Sequence, residues 1–410
     1  MWDILLPVMA LEIQSSDNLQ DDAITPPGFV AKILRIPVFR LSLGNDPISR
    51  IVIYIHNFFS RLCGSRDRSF RSFDPNIAQR SVDRFTALGA TTQFVTPRDG
   101  KGQVQMMTFS AQDLEQNIQN LGGSWERRNI NNREVFAIIP PPIQTQQWVE
   151  FKEKLSHFHW REEEGAIITC DCADEVPLDA PKKCFLFAHS TSGSFASDWK
   201  RAGFFIGSKQ DLCFFDNGNI WKNSGRAPSE ESFYLEIEAV YNQIKEKYPA
   251  EDLWIGGSCG GAPVAAYLKK QLHQEGVNFF VEQSFSDLND FVKPISGFFA
   301  PYVKGSLNCA ELPPNMENPP PACQFGVAKL WKDLNRYEGE RGGKFIFVQV
   351  RDDEHIDESA YQRYLDLARR VNTNVKHILF SSNTGWHHAD NFYLYENPRR
   401  EFVHTVFHPI

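Results

Sequence analysis

The stretch Leu253-Trp254-Ile255-Gly256-Gly257-Ser258-Cys259-Gly260-Gly261 constrains this chain more than any other. A short apolar run leads into glycines set around one serine and one cysteine. Ala262-Pro263-Val264-Ala265-Ala266-Tyr267-Leu268-Lys269-Lys270 follows, with small residues at the start of a helical pattern. Such a run reads as strand, sharp turn and helix, because only small residues let the two backbones approach closely. A hydroxyl or thiol held on such a turn beside a base becomes a usable nucleophile. The helix N-terminal amides and dipole then lie where an oxyanion would form. The spacing fits two registers. Gly256-x-Ser258-x-Gly260 makes Ser258 the nucleophile and gives the backbone amide of Cys259 to the oxyanion. Gly257-x-Cys259-x-Gly261 makes Cys259 the nucleophile. Counting along the strand from Leu253, Ser258 falls at the turn, and the extra Gly261 fits a Ser-x-Gly-Gly ending. Ser258 is the preferred reading.

With 410 residues, the chain has room for one large domain with an extension, or for two domains. Hydrophobic residues at 42% and charged residues at 23% fit a water-soluble globular protein. The net charge of −8 argues against bulk attraction to nucleic acid. No apolar run reaches the roughly 18 residues that a membrane-spanning helix needs. The start, Met1-Trp2-Asp3-Ile4-Leu5-Leu6-Pro7, lacks the basic residues of a signal peptide. The eight cysteines are scattered, which suggests reduced thiols in a reducing compartment. Cys170-x-Cys172 has no second pair at zinc-finger spacing, so no metal site is expected there.

Residues 1–28 are polar and acidic and end in Pro26-Pro27-Gly28, the composition of a flexible arm. From 29 to 71, apolar runs alternate with arginines. This reads either as a peripheral membrane or partner contact or as an extension with solvated charges. Thr96-Pro97-Arg98-Asp99-Gly100 predicts a hairpin turn, Ala111 to Leu121 a helix, and Pro140-Pro141-Pro142 a boundary. The sequence therefore divides into the arm at 1–28, an N-terminal extension at 29–150, and a main domain at 151–410. A proline-rich lid is expected within 300–330, around Cys309–Cys323. In the main domain, strands are expected at Cys184–Ala188, Asp211–Phe215, Asp252–Ile255, Asn278–Val281, Lys344–Val350 and Val375–Phe380. Helices are expected at Glu230–Lys247, Ala262–Gln274 and Asp357–Val371. That alternation implies an α/β fold, a mainly parallel sheet with helices on both faces.

Other segments complete the chemistry. A Ser-acid-His order requires an acid and a base downstream of Ser258, each just after a strand. Phe345–Val350 runs into Arg351-Asp352-Asp353-Glu354-His355-Ile356, and His377–Phe380 leads to Gly385-Trp386-His387-His388-Ala389-Asp390. Acidic runs mostly face solvent, and adjacent histidines on an extended strand point opposite ways, so neither segment argues alone. Phe185-Leu186-Phe187-Ala188-His189-Ser190-Thr191-Ser192-Gly193-Ser194 resembles the strand-then-His-Gly loop of α/β-hydrolases. Phe214 to Glu230 and Val281 to Leu288 resemble further segments of Bem46-like and ABHD-type serine hydrolases.

Over 182–407 the chain thus resembles that branch of the α/β-hydrolase superfamily, whose members include thioester-cleaving depalmitoylases. A weaker resemblance is to chlamydial CHLPS-type hydrolase-like proteins. The resemblance implies an α/β-hydrolase fold carrying a divergent N-terminal extension. It implies Ser258 as nucleophile, Asp353 as orienting acid and His388 as general base, with Asp352 and His387 as second choices. Backbone amides of Thr191 and Cys259 would hold the oxyanion. The substrate would be an acyl ester or thioester, with no metal and no organic cofactor. The location would be the cytoplasm, or a host cytosol to which the chain is delivered. One departure stands out: Ser190 replaces the glycine usual in the oxyanion loop. That departure and the large N-terminal extension motivate one rival reading, a hydrolase-fold binding or effector module without catalysis; a second rival is a peptidase or acyltransferase using the same residues.

Overall fold

The computed structural model describes residues 75–189, 198–215, 230–273, 275–285, 331, 334, 342–351, 353, 356, 358–381 and 391–410. All belong to one of the two units into which the chain divides, 75–291 with 325–410. The arm at 1–28, the arginine-rich stretch 29–71 and the lid at 300–330 fall outside the described residues.

Helix α1 (Pro75–Ala87) leads to a hairpin of β1 (Thr91–Val95) and β2 (Val104–Phe109), antiparallel across the expected turn. Helix α2 (Ala111–Asn120) starts at Ser110, whose hydroxyl accepts from the Asp113 amide as an N-cap should. An antiparallel sheet follows, which the sequence reading did not contain. It comprises β3 (Ser124–Ile130), β4 (Arg133–Ile139), β5 (Arg161–Glu163) and β6 (Ala166–Cys170) in the order β3-β4-β6-β5, with α3 (Gln146–Leu155) between β4 and β5. Asn131 and Asn132, at φ 50° and 61°, turn the β3–β4 hairpin. Asparagine tolerates that left-handed pair well.

The chain then alternates: β7 (Cys184–Ala188), α4 (Trp199–Gly207), β8 (Asp211–Phe215), α5 (Glu230–Ile244), β9 (Leu253–Ser258), α6 (Gly261–Gln271), β10 (Asn278–Glu282), β11 (Phe345–Val350), α7 (Glu358–Val371), β12 (Val375–Phe380) and α8 (Glu396–Phe407). The expected strands and helices of this half match within three residues at each end. Strands β7 to β11 are apolar almost throughout and buried along their length, the signature of a sheet covered on both faces.

Alternate side chains build two cores. On one face Leu186, Ile255, Phe279 and Phe347 pack with Ile237 and Val240 of α5, Val264 and Ala265 of α6, and Tyr364 and Leu365 of α7. On the other, Phe185 and Phe280 meet Phe205 of α4 and Phe402 of α8 ring against ring, and Trp254 stacks on Phe185. Each such buried ring stabilises the fold by about 1.5–3 kcal/mol relative to exposure.

The main sheet has the order β1-β2-β8-β7-β9-β10-β11-β12. β2 runs antiparallel to both neighbours, while β8 through β12 are parallel. Counting main-sheet strands alone, the order is 1-2-4-3-5-6-7-8, that of the α/β-hydrolase fold. One boundary needs correction. β2 pairs Met106–Phe109 with Leu212–Phe215 of β8, so the unit carrying this sheet begins before residue 151. Without β2 the apolar edge of β8 would be open.

Candidate active site

Strand β9 runs through Ser258 into a turn at Cys259 and Gly260, and α6 begins at Gly261. Cys259 has φ 47°, the left-handed region that a side chain occupies only at a cost of about 1–3 kcal/mol. The glycines show why the chain can bend so sharply there. A Cβ on Gly257 would sit 2.6 Å from the carbonyl carbon and oxygen of Gly261, and one on Gly261 2.1 Å from the carbonyl oxygen of Ala188. The two glycines in contact therefore stand two residues before and two after Cys259. Ser258 is the last residue of the strand, half-buried and paired with Glu282. The left-handed apex belongs to Cys259 rather than to Ser258.

The apex is pinned from both sides. The Cys259 amide donates to the Glu282 carbonyl at 3.1 Å, and the Cys259 carbonyl accepts from the Ser284 hydroxyl at 2.9 Å. This corrects one expectation: the Cys259 amide, assigned to the oxyanion when Ser258 is the nucleophile, already has a backbone partner. The next amide, that of Gly260, heads the helix. No acceptor for it is found among the described residues.

Asp353 follows β11. Its Oδ1 accepts from the Ile356 amide at 2.9 Å and its Oδ2 from Gln349 Nε2 at 3.1 Å, two donors that fix the carboxylate. β11 lies two parallel strands from β9, about 10 Å across the sheet at the usual spacing. β12, beside β11, ends at Phe380 and leads into 382–390. His387, His388, Asp352 and Thr191 lie outside the described residues. The carboxyl ends of β7, β9, β11 and β12 nevertheless share one edge of the sheet, where open α/β sheets bind ligands.

Sequence reasoning missed a buried polar cluster beside the elbow. Arg201, 6% exposed, pairs with Glu282 at 2.6 Å and also with Asp198. It lies 4.1 Å over the Phe187 ring and reaches Asn391 Oδ1 at 3.5 Å. His189 Nε2 is 3.3 Å from Asp198 Oδ2, so the residues flanking 190–197 are joined at the base of that segment. Burial opposes the charge on Arg201, and the Glu282 carboxylate together with Tyr393 outweighs it, so its pKa is raised. One guanidinium thus links Asp198, the residue after 190–197, with Glu282, the strand residue opposite Ser258, and Asn391, the residue that follows 382–390. The available signal was a lone arginine in Trp199–Gly207, where every other position except Lys200 is buried and apolar or glycine.

No family model matches the chain, and no curated protein matches it. Solved structures are similar in fold. An α/β-hydrolase from Vibrio vulnificus has a TM-score of 0.49 at 13% identity, covering 84% of this chain and 89% of that one. The esterase LipW from Mycobacterium marinum has a TM-score of 0.45 at 11% identity, covering 82% and 87%. The esterase Pf2001 from Pyrococcus furiosus has a TM-score of 0.43 at 10% identity, covering 82% and 95%. The fold assignment rests on the strand order and the elbow described above. No helix among the described residues is long and apolar enough to cross a membrane.

Proposed function

We propose that this protein is an acyl hydrolase that cleaves an ester or thioester through a covalent intermediate on Cys259. The observation that carries the reading is the left-handed backbone of Cys259 between the mutually contacting Gly257 and Gly261. A thiol on such an apex is exposed to a substrate carbonyl and close to the helix N-terminus. In the reaction Sγ attacks the carbonyl carbon while His388 accepts the thiol proton, with His387 as the second choice. Asp353 orients that imidazole and stabilises its charged form, with Asp352 as the second choice. The tetrahedral oxyanion is held by the Gly260 amide and, across the edge, by Thr191. The leaving group departs with the proton from the imidazole. Water then adds to the acyl-enzyme, the carbon–sulfur bond breaks, and the thiol regains its proton.

A second reading keeps the same chemistry on Ser258. The Gly256-x-Ser258-x-Gly260-Gly261 spacing favours it. A third, a binding module without turnover, is favoured by Ser190 in the oxyanion loop. Labelling of wild type, Ser258→Ala and Cys259→Ala with a fluorophosphonate and with a thiol-directed acyl probe separates them. Cysteine catalysis requires thiol labelling and thioester turnover to vanish in Cys259→Ala and survive in Ser258→Ala. Fluorophosphonate labelling lost only in Ser258→Ala would move the nucleophile to the serine. A folded wild type that hydrolyses no ester or thioester and reacts with neither probe would leave the binding module.

A further inference from the structure

A second constellation lies on helix α8 and involves none of the residues above. His404 and His408 stand one helical turn apart, His408 as the residue that closes the helix. Its amide still donates to the His404 carbonyl at 2.9 Å. Residues at that spacing share a helix face, and the two imidazoles pack with centroids 4.4 Å apart. Facing them is Glu175, at the end of the short 3-10 turn Ala173–Glu175 that precedes β7. Glu175 Oε2 is 2.8 Å from His404 Nδ1, and His408 Nε2 is 3.0 Å from the Glu175 carbonyl oxygen. One ligand atom from each residue lies within 4.8 Å of the other two.

We propose that Glu175, His404 and His408 bind a divalent transition-metal ion of the zinc type, fastening α8 to the turn before β7. Zinc takes imidazole nitrogen and carboxylate oxygen at about 2.0–2.2 Å, which puts tetrahedral ligand atoms roughly 3.3 Å apart. The observed separations, within 4.8 Å, exceed that spacing by about 1.5 Å at most. His404 is open to solvent, so an ion has access and water completes its shell.

The surroundings fix the carboxylate. Arg400 holds Glu175 Oε1 at 2.8 Å and also pairs with Asp174, so Oε2 is the oxygen turned toward the histidine. The positive charge of Arg400 is set against two carboxylates. The helix-end carbonyls are taken: Lys344 Nζ donates to those of Thr405, Val406 and His408. That leaves imidazoles and one carboxylate, a donor set for zinc, nickel or copper(II) and a poor one for calcium or magnesium, which prefer oxygen ligands throughout.

The test uses the full chain stripped with a chelator and titrated with Zn²⁺ against a chromophoric competitor. One equivalent should bind, and His404→Gln or His408→Gln should weaken it at least tenfold. Zn²⁺ should raise the melting temperature of wild type and leave that of either variant unchanged. Cys259→Ala should keep the equivalent, which separates this site from thiol binding at the elbow. His404 is exposed, so His404→Gln folds without metal, and circular dichroism checks it. Equal Zn²⁺ affinity in wild type and the double variant, or no uptake by wild type at micromolar Zn²⁺, would overturn the site and leave the trio as a hydrogen-bonded helix end.

Discussion

At the scale of single residues, the elbow and its acid are the sharpest tests. Gly261 has no room for a side chain, since the Ala188 carbonyl oxygen would lie 2.1 Å from its Cβ. Backbone cannot swing away as a flexible side chain can. Gly261→Ala should therefore cost about 3 kcal/mol in urea unfolding, at the upper end of overpacking effects. It should also push the end of β7, at Ala188 and His189, away from the helix start. Asp353→Asn keeps the size of the side chain and removes its charge. If Asp353 orients the base, the substitution should lower kcat by roughly 10²- to 10⁴-fold with KM little changed, as measured by steady-state thioester hydrolysis. An unchanged kcat would transfer the acid role to Asp352.

At the scale of elements, Arg201 decides how α4, β10 and the residue after 382–390 stand together. Breaking a buried pair strands the partner charge, so Arg201→Met should destabilise the fold by about 3–5 kcal/mol in denaturant unfolding. The double variant Arg201→Met/Glu282→Met should regain part of that loss, because the Glu282 charge is no longer stranded while Asp198 keeps only His189 as a partner. Activity gives the discriminating readout. A positioning role requires the double variant to remain slow in kcat after its stability has partly recovered. Lys269 is a contrasting element-level device. Its buried Nζ donates to the Gly342 carbonyl at 2.8 Å and to that of Val277, tying α6 to the chain before β10 and β11. Burial holds its ammonium pKa down at about 7.

At the scale of the molecule, the main sheet is assembled from segments far apart in sequence. A fragment 151–410 would lack β1, β2 and α2 and expose the edge of β8. It should fail to give a cooperative unfolding transition by circular dichroism. Acid stability has a distinct contributor in His377, which packs against Tyr361 with ring centroids 5.0 Å apart. Burial, helped by Arg369, pushes its pKa from 6.5 down to about 4. Between those values the unfolded chain binds a proton that the folded one does not, so stability falls as pH drops from about 6.5 toward about 4. His377 is partly exposed and screened by solvent. His377→Gln should therefore flatten that part of the pH profile by roughly 1–2 kcal/mol.

Sequence by itself determined the parallel half of the sheet, because strands buried on both faces are written as unbroken apolar runs between amphipathic helices. It also marked the turn at 256–261, where small residues around one position are what a strand-to-helix turn requires. It preferred Ser258 to Cys259 by counting along the strand. Both registers satisfy the glycine rule, and only the packed helix start reveals that Gly257 and Gly261 are the pair in contact. It could not assign β1 and β2 to the main sheet, since pairing with β8 joins residues about a hundred positions apart and leaves no local pattern. Arg201 and the Glu175–His404–His408 trio are tertiary facts for the same reason. Each is a set of ordinary polar residues until the fold brings distant segments together and removes the water between them.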